Sequence, residues 1–290
     1  MASAIVLSAG FGTRLRPLTD ELPKALVPVG DRPLLAHIAD VLHQAGIAHL
    51  VVNTHHKSEL FSRYLDSLSA KVDVVHEPEI RGTAGGVAGA QALFEGSEVL
   101  VWNGDILTRP PVTDLLARAA AGGLVLAVAP RPNGSGSVGL DDRGRVVRLR
   151  GERFGEEVNG GDYIGIAGLG ARARAALPDR GCLIGDVALP LLRAGGTIET
   201  VPHSGTWSDI GSLEGYWRAN LEWLEQRAAE SWFGEQATVD GARVTGSVIG
   251  AGARIEGSGA LARCVVWPHA TAVAPLSDAI VTPRAVVHLT

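Results

Sequence analysis

Apolar residues fall into two rhythms along the first hundred positions. Short unbroken runs, Ala4-Ile5-Val6-Leu7, Leu50-Val51-Val52 and Val99-Leu100-Val101-Trp102, are bounded by glycine or polar residues and read as buried strands. Between the first two runs, residues 33–45 repeat apolar positions at helical spacing. Pro33 stands at the start and Gly46 just after, so this stretch reads as an amphipathic helix. Further helices are expected near 57–69 and 84–94, and a further strand near 72–76. Strands alternating with helices imply a mostly parallel sheet covered on both faces, and right-handed crossovers make it doubly wound. From 107 to 200 the rhythm weakens. There, 124–129 and 146–149 read as strands, and 130–137, rich in Pro, Gly and Ser, as a loop. Residues 213–229 read as a long helix closing a first domain, 1–235.

Beyond about 236 glycines become dense and helical spacing disappears. Apolar residues recur every six positions at Ile249, Ile255, Leu261, Trp267 and Val273, with Ala279 and Ala285 in phase. A six-residue period places one short strand on each face of a three-sided parallel β-helix, and the span 236–290 supplies about three coils of roughly eighteen residues.

Composition narrows the function classes. The chain has 290 residues, 46% hydrophobic and 20% charged, which is ordinary globular usage able to bury a core. A formal net charge of −5 argues against nucleic acid as a partner, although a local cluster of donors can still hold phosphates. The two cysteines, Cys182 and Cys264, lack metal-ligand spacing and read as reduced structural thiols. The nine histidines form no metal pattern. No signal-like segment and no membrane-length apolar run is present, so a cytoplasmic protein without a membrane partner is expected. Nearly every basic residue is Arg; the lysines are Lys24, Lys57 and Lys71, so a Lys within a motif is informative.

The segment after the first strand carries the chemistry. Ala9, Gly10, Gly12 and Thr13 form a loop whose glycines let backbone N–H groups approach a phosphate, and Thr13 adds a hydroxyl. Arg14 offers multidentate charge and Lys24 a compact point charge. No Gly-Lys-Ser/Thr follows, so this is not a Walker loop, and the third Gly of the dinucleotide fingerprint is missing.

Gly10-Phe11-Gly12-Thr13-Arg14-Leu15-Arg16-Pro17-Leu18-Thr19 with Pro23-Lys24 resembles the signature of the nucleotide-sugar pyrophosphorylases, the sugar-1-phosphate nucleotidyltransferases. The resemblance continues through Gly82-Thr83-Ala84-Gly85-Gly86, Asn103-Gly104-Asp105, Asn159-Gly160-Gly161-Asp162-Tyr163 and Trp207-Ser208-Asp209-Ile210-Gly211. It implies a Rossmann-like nucleotidyltransferase domain, and many members carry a C-terminal left-handed β-helix, which suits the hexads. It also implies an Mg2+-dependent reaction of a nucleoside triphosphate with a sugar 1-phosphate. Arg14 and Lys24 then grip phosphates, and Asp105 and Asp209 hold Mg2+. Ala9, Gly10, Gly12, Thr13, Glu77 and Gly82 line the nucleotide, while Glu152, Asn159 and Gly161 meet the sugar. Asp186 is a weaker candidate. The family's Glu-Lys-Pro is here Glu152-Arg153-Phe154, and Arg is not equivalent to Lys at a phosphate.

Glu77 stands where thymidylyl- and uridylyl-transferring relatives often carry Gln. A carboxylate only accepts, and guanine presents two donors, so Glu77 tilts the choice to GTP with a mannose-type 1-phosphate. UTP or dTTP with another hexose 1-phosphate is the alternative, since some UTP users also carry Glu. A non-catalytic paralogue and an acyltransferase built on the hexads are the other readings. The edge of a short coil stack points to a homo-oligomer.

Overall fold

The computed structural model describes residues 2–65, 68 and 70–289. By compactness the chain forms two units, one of residues 1–10 and 38–207, the other of 11–37 and 208–290. The first carries the large sheet. Its strands are β1 (Ser3–Leu7), β2 (His49–Thr54), β3 (Lys71–His76), β4 (Val99–Asn103), β5 (Leu124–Arg131), β6 (Val138–Leu140), β7 (Val146–Leu149), β8 (Glu152–Arg153), β9 (Asn159–Leu169) and β10 (Glu199–Pro202). The order is β8-β7-β6-β9-β4-β1-β2-β3, with β5 against β9 and β10 against β5.

The four runs foreseen as strands, β1, β2, β3 and β4, pair in parallel, Ile5 lying between Val51 and Val101. β9 then pairs antiparallel to β4, β5 and β6. The result is a mixed α/β fold whose parallel half carries the carboxyl edge where open sheets of this kind bind ligands. Helices α1 (Leu34–Gln44), α2 (Gly82–Gly89) and α3 (Val112–Ala119) belong to the crossovers. The helix expected near 57–69 is shorter, Ser62–Leu65, and the end of that expectation lies outside the described residues. Burial follows the apolar runs, with Ile5, Val51, Val101 and Leu126 all 0% exposed.

Strand β9 was not foreseen. Its sequence, NGGDYIGIAGL, lacks alternation because neighbouring backbone and side chains crowd its glycines. A Cβ on Gly160 would lie 2.2 Å from the Ser135 carbonyl oxygen, and one on Gly161 would lie 2.1 Å from Val128 Cγ1. Here glycine reports close packing.

The second unit joins residues 11–37 to a long helix, α4 (Leu213–Glu225), and to the C-terminal strands. Ser212 caps α4 by accepting from the Gly215 amide at 3.1 Å. On one side of α4, Tyr216 Oη donates to the Pro28 carbonyl (2.6 Å) and Asn220 Oδ1 accepts from the Gly30 amide (2.8 Å). Gly30, in the left-handed region at φ 62°, packs so closely on Trp223 that a Cβ would lie 2.0 Å from the indole. Trp267 Nε1 donates to the Tyr216 hydroxyl (2.8 Å) and Trp217 Nε1 to the Arg263 carbonyl (2.7 Å). Thr282 Oγ1 also donates to the Glu21 carboxylate.

Beyond α4 the strands pair in parallel with partners sixteen or seventeen positions on: Trp232 with Val248, Thr238 with Arg254, Val248 with Val265, Arg254 with Thr271. Most hexad positions point inward, Ile249, Ile255, Leu261 and Trp267 being at most 3% exposed. Val273 departs from the expectation at 61% exposed. The partner of Gly257 is Ala274, but that of Leu261 is Leu276, because the earlier strand carries two more residues than the later one between these pairs. The slip at Val273 arises before that point: Ile255 pairs with Ala272, seventeen rather than eighteen positions on, so Val273 stands opposite exposed Glu256 while Ala272 and Ala274 turn inward.

Candidate functional site

In the first unit the site is built where β1 and β4 end. The Gly104 amide donates to the Leu7 carbonyl at 2.9 Å, and a Cβ on Gly104 would sit 2.7 Å from that oxygen. Buried Trp102 donates from Nε1 to the Ile106 carbonyl at 2.8 Å, closing the turn across Asp105. A Cβ on Gly104 would also lie 2.7 Å from Ser8 Oγ, so half-buried Asp105 follows directly on the residue that packs where β1 gives way to the loop; there Ala9 is buried and Gly10 exposed. The buried Ser8 Oγ has no hydrogen-bond partner among the described residues. Tyr163 is close by: burial, with the charges of Cys182 and Asp105, pushes its phenol well above the usual range and keeps it protonated.

The Gly82 turn is fixed from both ends. Gly82 adopts φ 78°, and a Cβ there would lie 2.5 Å from the Gly181 carbonyl oxygen. That oxygen accepts from the Ala84 amide at 2.9 Å, and Thr83 Oγ1 accepts from the Leu183 amide at 2.7 Å. Glu77 is 3% exposed. Its Oε1 accepts from Asn53 Nδ2 at 2.7 Å and its Oε2 from the Arg81 amide at 3.0 Å. Asn53 is a functional candidate that the sequence reading missed; the available signal was a polar residue closing an apolar strand at the sheet's carboxyl edge.

The second unit holds the charged part of the signature. Gly12 is left-handed (φ 62°, ψ 35°) and opens a single turn, Thr13–Leu15, in which Leu15 is buried while Thr13 and Arg14 are exposed. Thr19 Oγ1 donates to the Gly12 carbonyl at 2.9 Å. A Cβ on Gly12 would meet Thr19 Cγ2 at 2.7 Å and Lys24 Cβ at 3.5 Å. The loop folds back on itself, which is why Gly12, Thr19 and Lys24 recur together in the motif. In this same unit Arg14 and Asp209 come together over Gly211: a Cβ there would lie 2.9 Å from Arg14 Nη2 and 2.6 Å from Asp209 Oδ1.

The sugar-side residues are dispersed. Asn159 opens β9 and is exposed, whereas Gly161 is buried against Val128. Glu152 lies on the edge strand β8, separated from β9 by β7 and β6, and is bound by Arg193, whose Nε donates at 2.9 Å. That guanidinium holds the Glu152 carboxyl below its ordinary range. Asp186, the weaker candidate, accepts the Cys182 amide at 2.6 Å. A pair missed in the sequence holds this region together. Arg148 donates to both oxygens of Glu157 (2.8 and 3.0 Å) and to the carbonyls of Ser135 and Gly136, fixing the 132–137 loop. The Glu157 side chain is 2% exposed, and the Arg148 hydrogen bonds hold its carboxyl below the ordinary range.

Among the described residues no group of three or more His, Cys, Asp or Glu side chains could hold a metal ion, and no helix is long and apolar enough to cross a membrane.

A family model described as nucleotidyl transferase matches residues 3–226. The mannose-1-phosphate guanylyltransferase of Mycobacterium tuberculosis is 28% identical over 275 residues, covering 87% of this chain and 76% of that protein. The mannose-1-phosphate guanylyltransferase catalytic subunit beta of Danio rerio is 31% identical over 222 residues, and there this chain spans 61% of the relative's length. The N-acetylmuramate alpha-1-phosphate uridylyltransferase of Neisseria meningitidis is 33% identical over 225 residues, covering 72% of this chain and 93% of that protein. The crystal structure of HddC from Yersinia pseudotuberculosis complexed with GMP-PN shares the fold: TM-score 0.65 at 22% identity, covering 77% of this chain and 100% of that one.

Proposed function

The chain belongs to the nucleotidyl transferase family, and from that premise we propose that it transfers a nucleoside monophosphate from an NTP to a sugar 1-phosphate. The observation that carries the reading is the family match across 3–226, with the signature residues standing in the loop that follows β1. An oxygen of the sugar phosphate attacks the α-phosphorus, the bond between that phosphorus and the bridging oxygen breaks, and pyrophosphate leaves. The nucleophile has a second pKa of about 6 and is already largely dianionic at pH 7, so no general base is required. Positioning and charge stabilisation are then the tasks of the protein.

Arg14 binds the triphosphate and Lys24 the reacting phosphate. Ala9, Gly10, Gly12 and Thr13 supply the phosphate loop, and Gly82 the base side. Asn159, with Gly161 beneath it, faces the sugar. Glu152, engaged by Arg193, keeps that role only by exchanging its ion pair for a sugar hydroxyl. Asp105 and Asp209 are hard oxygen donors suited to Mg2+, which takes one or two carboxylates and completes its shell with water and phosphate oxygens. The ion supplies charge neutralisation on the phosphates when bound.

GTP with a mannose-type 1-phosphate is favoured by the names of the M. tuberculosis and D. rerio relatives. UTP is the second reading, supported by the uridylyltransferase, which this chain covers at 93%. We read 1–235 as the catalytic domain and 236–290, from its parallel pairing, as a short left-handed β-helix. Val239, Val273 and Val286 leave apolar surface exposed there, which suits a homo-oligomer. A cytoplasmic chain without nucleic-acid or membrane partners suits the composition and the net charge of −5. A matrix of NTPs against sugar 1-phosphates, scored by pyrophosphate release, tests the reading. The highest rate is expected with GTP and mannose 1-phosphate. Release from no pair overturns it.

A further inference from the structure

Glu77 has every polar group engaged by its own chain. Its amide donates to the Thr54 carbonyl at 2.7 Å, and its carbonyl lies 2.7 Å from His55 Nδ1. Its carboxylate oxygens take Asn53 Nδ2 and the Arg81 amide, and the side chain is buried. A bare face of α2 lies over it: a Cβ on Gly86 would be 2.5 Å from Asn53 Nδ2 and 3.0 Å from Glu77 Oε1. A carboxylate that reads a base must present an oxygen to it, and this one faces inward.

The other side of Asn53 is equally occupied. Its Oδ1 accepts from the Ser8 amide at 2.7 Å, at the point where β1 gives way to the glycine loop. The chemistry fixes the orientation of this amide. The Ser8 N–H can only donate and the Glu77 carboxylate only accepts, so oxygen must face one and nitrogen the other.

We propose that Asn53 is a positioning residue of the nucleotide site: it ties the Ser8 amide to the buried Glu77, which in turn fixes the Arg81–Gly82 turn. The inference rests on the nucleotidyl-transfer reading above and deepens it, since it makes Glu77 a holder of backbone and leaves base choice to other groups. Strands β1, β2 and β3 thus share one polar clasp across their carboxyl ends, and it sets the spacing between Ser8, where the phosphate loop begins, and the base-side turn.

The clasp can be reversed. In Asn53→Asp the Ser8 contact survives, but two carboxylates face each other and must share a proton. In Glu77→Gln the new amide cannot accept from Asn53 and Arg81 at once. In the double variant the new carboxylate at position 53 accepts from the Ser8 amide. The new amide at position 77 donates to that carboxylate and accepts from the Arg81 amide, so all contacts return with polarity exchanged.

The test compares pyrophosphate release by wild type, both single variants and the double variant, across NTPs and from pH 6 to 9. Each single variant should raise the KM for NTP on the order of tenfold to a hundredfold, with the KM for sugar 1-phosphate unchanged. Asn53→Asp should recover as the pH falls and the shared proton returns. The double variant should come back to within about threefold of wild type, with unaltered nucleotide preference and no acid recovery. Should Asn53→Asp not fold, as read by thermal melting, Glu77→Gln and the double variant make the same comparison. An active wild type whose double variant is not rescued, or whose nucleotide preference changes whenever residue 77 is Gln, overturns the inference alone. A wild type inactive with every pair overturns the proposed function, and this inference with it.

Discussion

Arg14 and Asp209, 195 positions apart in sequence, present a guanidinium nitrogen and a carboxylate oxygen to the same point above Gly211, 2.9 and 2.6 Å from where a Cβ would stand. The glycine leaves both groups room to turn, which the proposed function uses to bring them to phosphate and cation. Gly211→Ala should therefore act on function more than on folding, because the atoms it displaces are the free ends of exposed side chains. A fall in kcat/KM of about tenfold or more, with the melting temperature nearly unchanged, is expected. Loss of fold in parallel with activity would count against this role for the glycine.

Lys24 is packed against the Gly12 turn, so its charge is placed by the loop itself. A point charge on the reacting phosphate contributes more to the transition state than to ground-state binding. Lys24→Ala should lower kcat on the order of a hundredfold. Initial rates at saturating NTP decide the matter: an effect confined to the KM for NTP is the contrary result.

The turn bearing Asp105 is held on either side by the Trp102–Ile106 and Gly104–Leu7 hydrogen bonds. Asp105→Asn should keep the fold and lose most turnover, with the deficit largest when Mg2+ is limiting. Titrating Mg2+ against rate in both proteins checks this. Identical Mg2+ dependence at full activity would remove Asp105 from the cation site.

The Glu157–Arg148 pair makes a prediction about pH. The folded-state pKa of Glu157 is depressed, so its contribution is fully present above the unfolded value of about 4.3 and is lost as pH falls through the folded value. Glu157→Gln should cost about 3 kcal/mol at pH 7, at the low end for a buried pair because backbone carbonyls still hold Arg148. The gap to wild type should close below about pH 4. Urea unfolding at the two pH values measures it, and a gap that persists in acid would contradict the ion pair.

What could be read from the sequence was local. The apolar runs 4–7, 50–52 and 99–102 gave the parallel strands because burial on both faces removes alternation. The Gly12–Lys24 motif was legible because its spacing is set by a loop folding on itself within thirteen residues. Strand β9 was hidden because its glycines answer to Ser135 and Val128, whose approach no periodicity announces. The phase slip at Val273 depends on a coil of seventeen rather than eighteen residues between Ile255 and its partner Ala272. The partners of Glu77 were hidden for the same reason. Its residue type suggested an acceptor facing a ligand, while Asn53, twenty-four positions earlier, had already engaged it.

The chain of contacts from Trp267 through Tyr216 to Pro28, with Thr282 on Glu21, has a mechanical consequence. The segment bearing Arg14 and Lys24 is braced by α4 at Pro28 and by Thr282 at Glu21, and Trp267 in turn holds the Tyr216 hydroxyl of α4. Those residues act as an abutment: cut the chain after residue 235, and Glu21 loses Thr282 and Tyr216 loses Trp267, so α4 alone is left to hold Pro28 and Gly30 while every residue of the phosphate motif is still present.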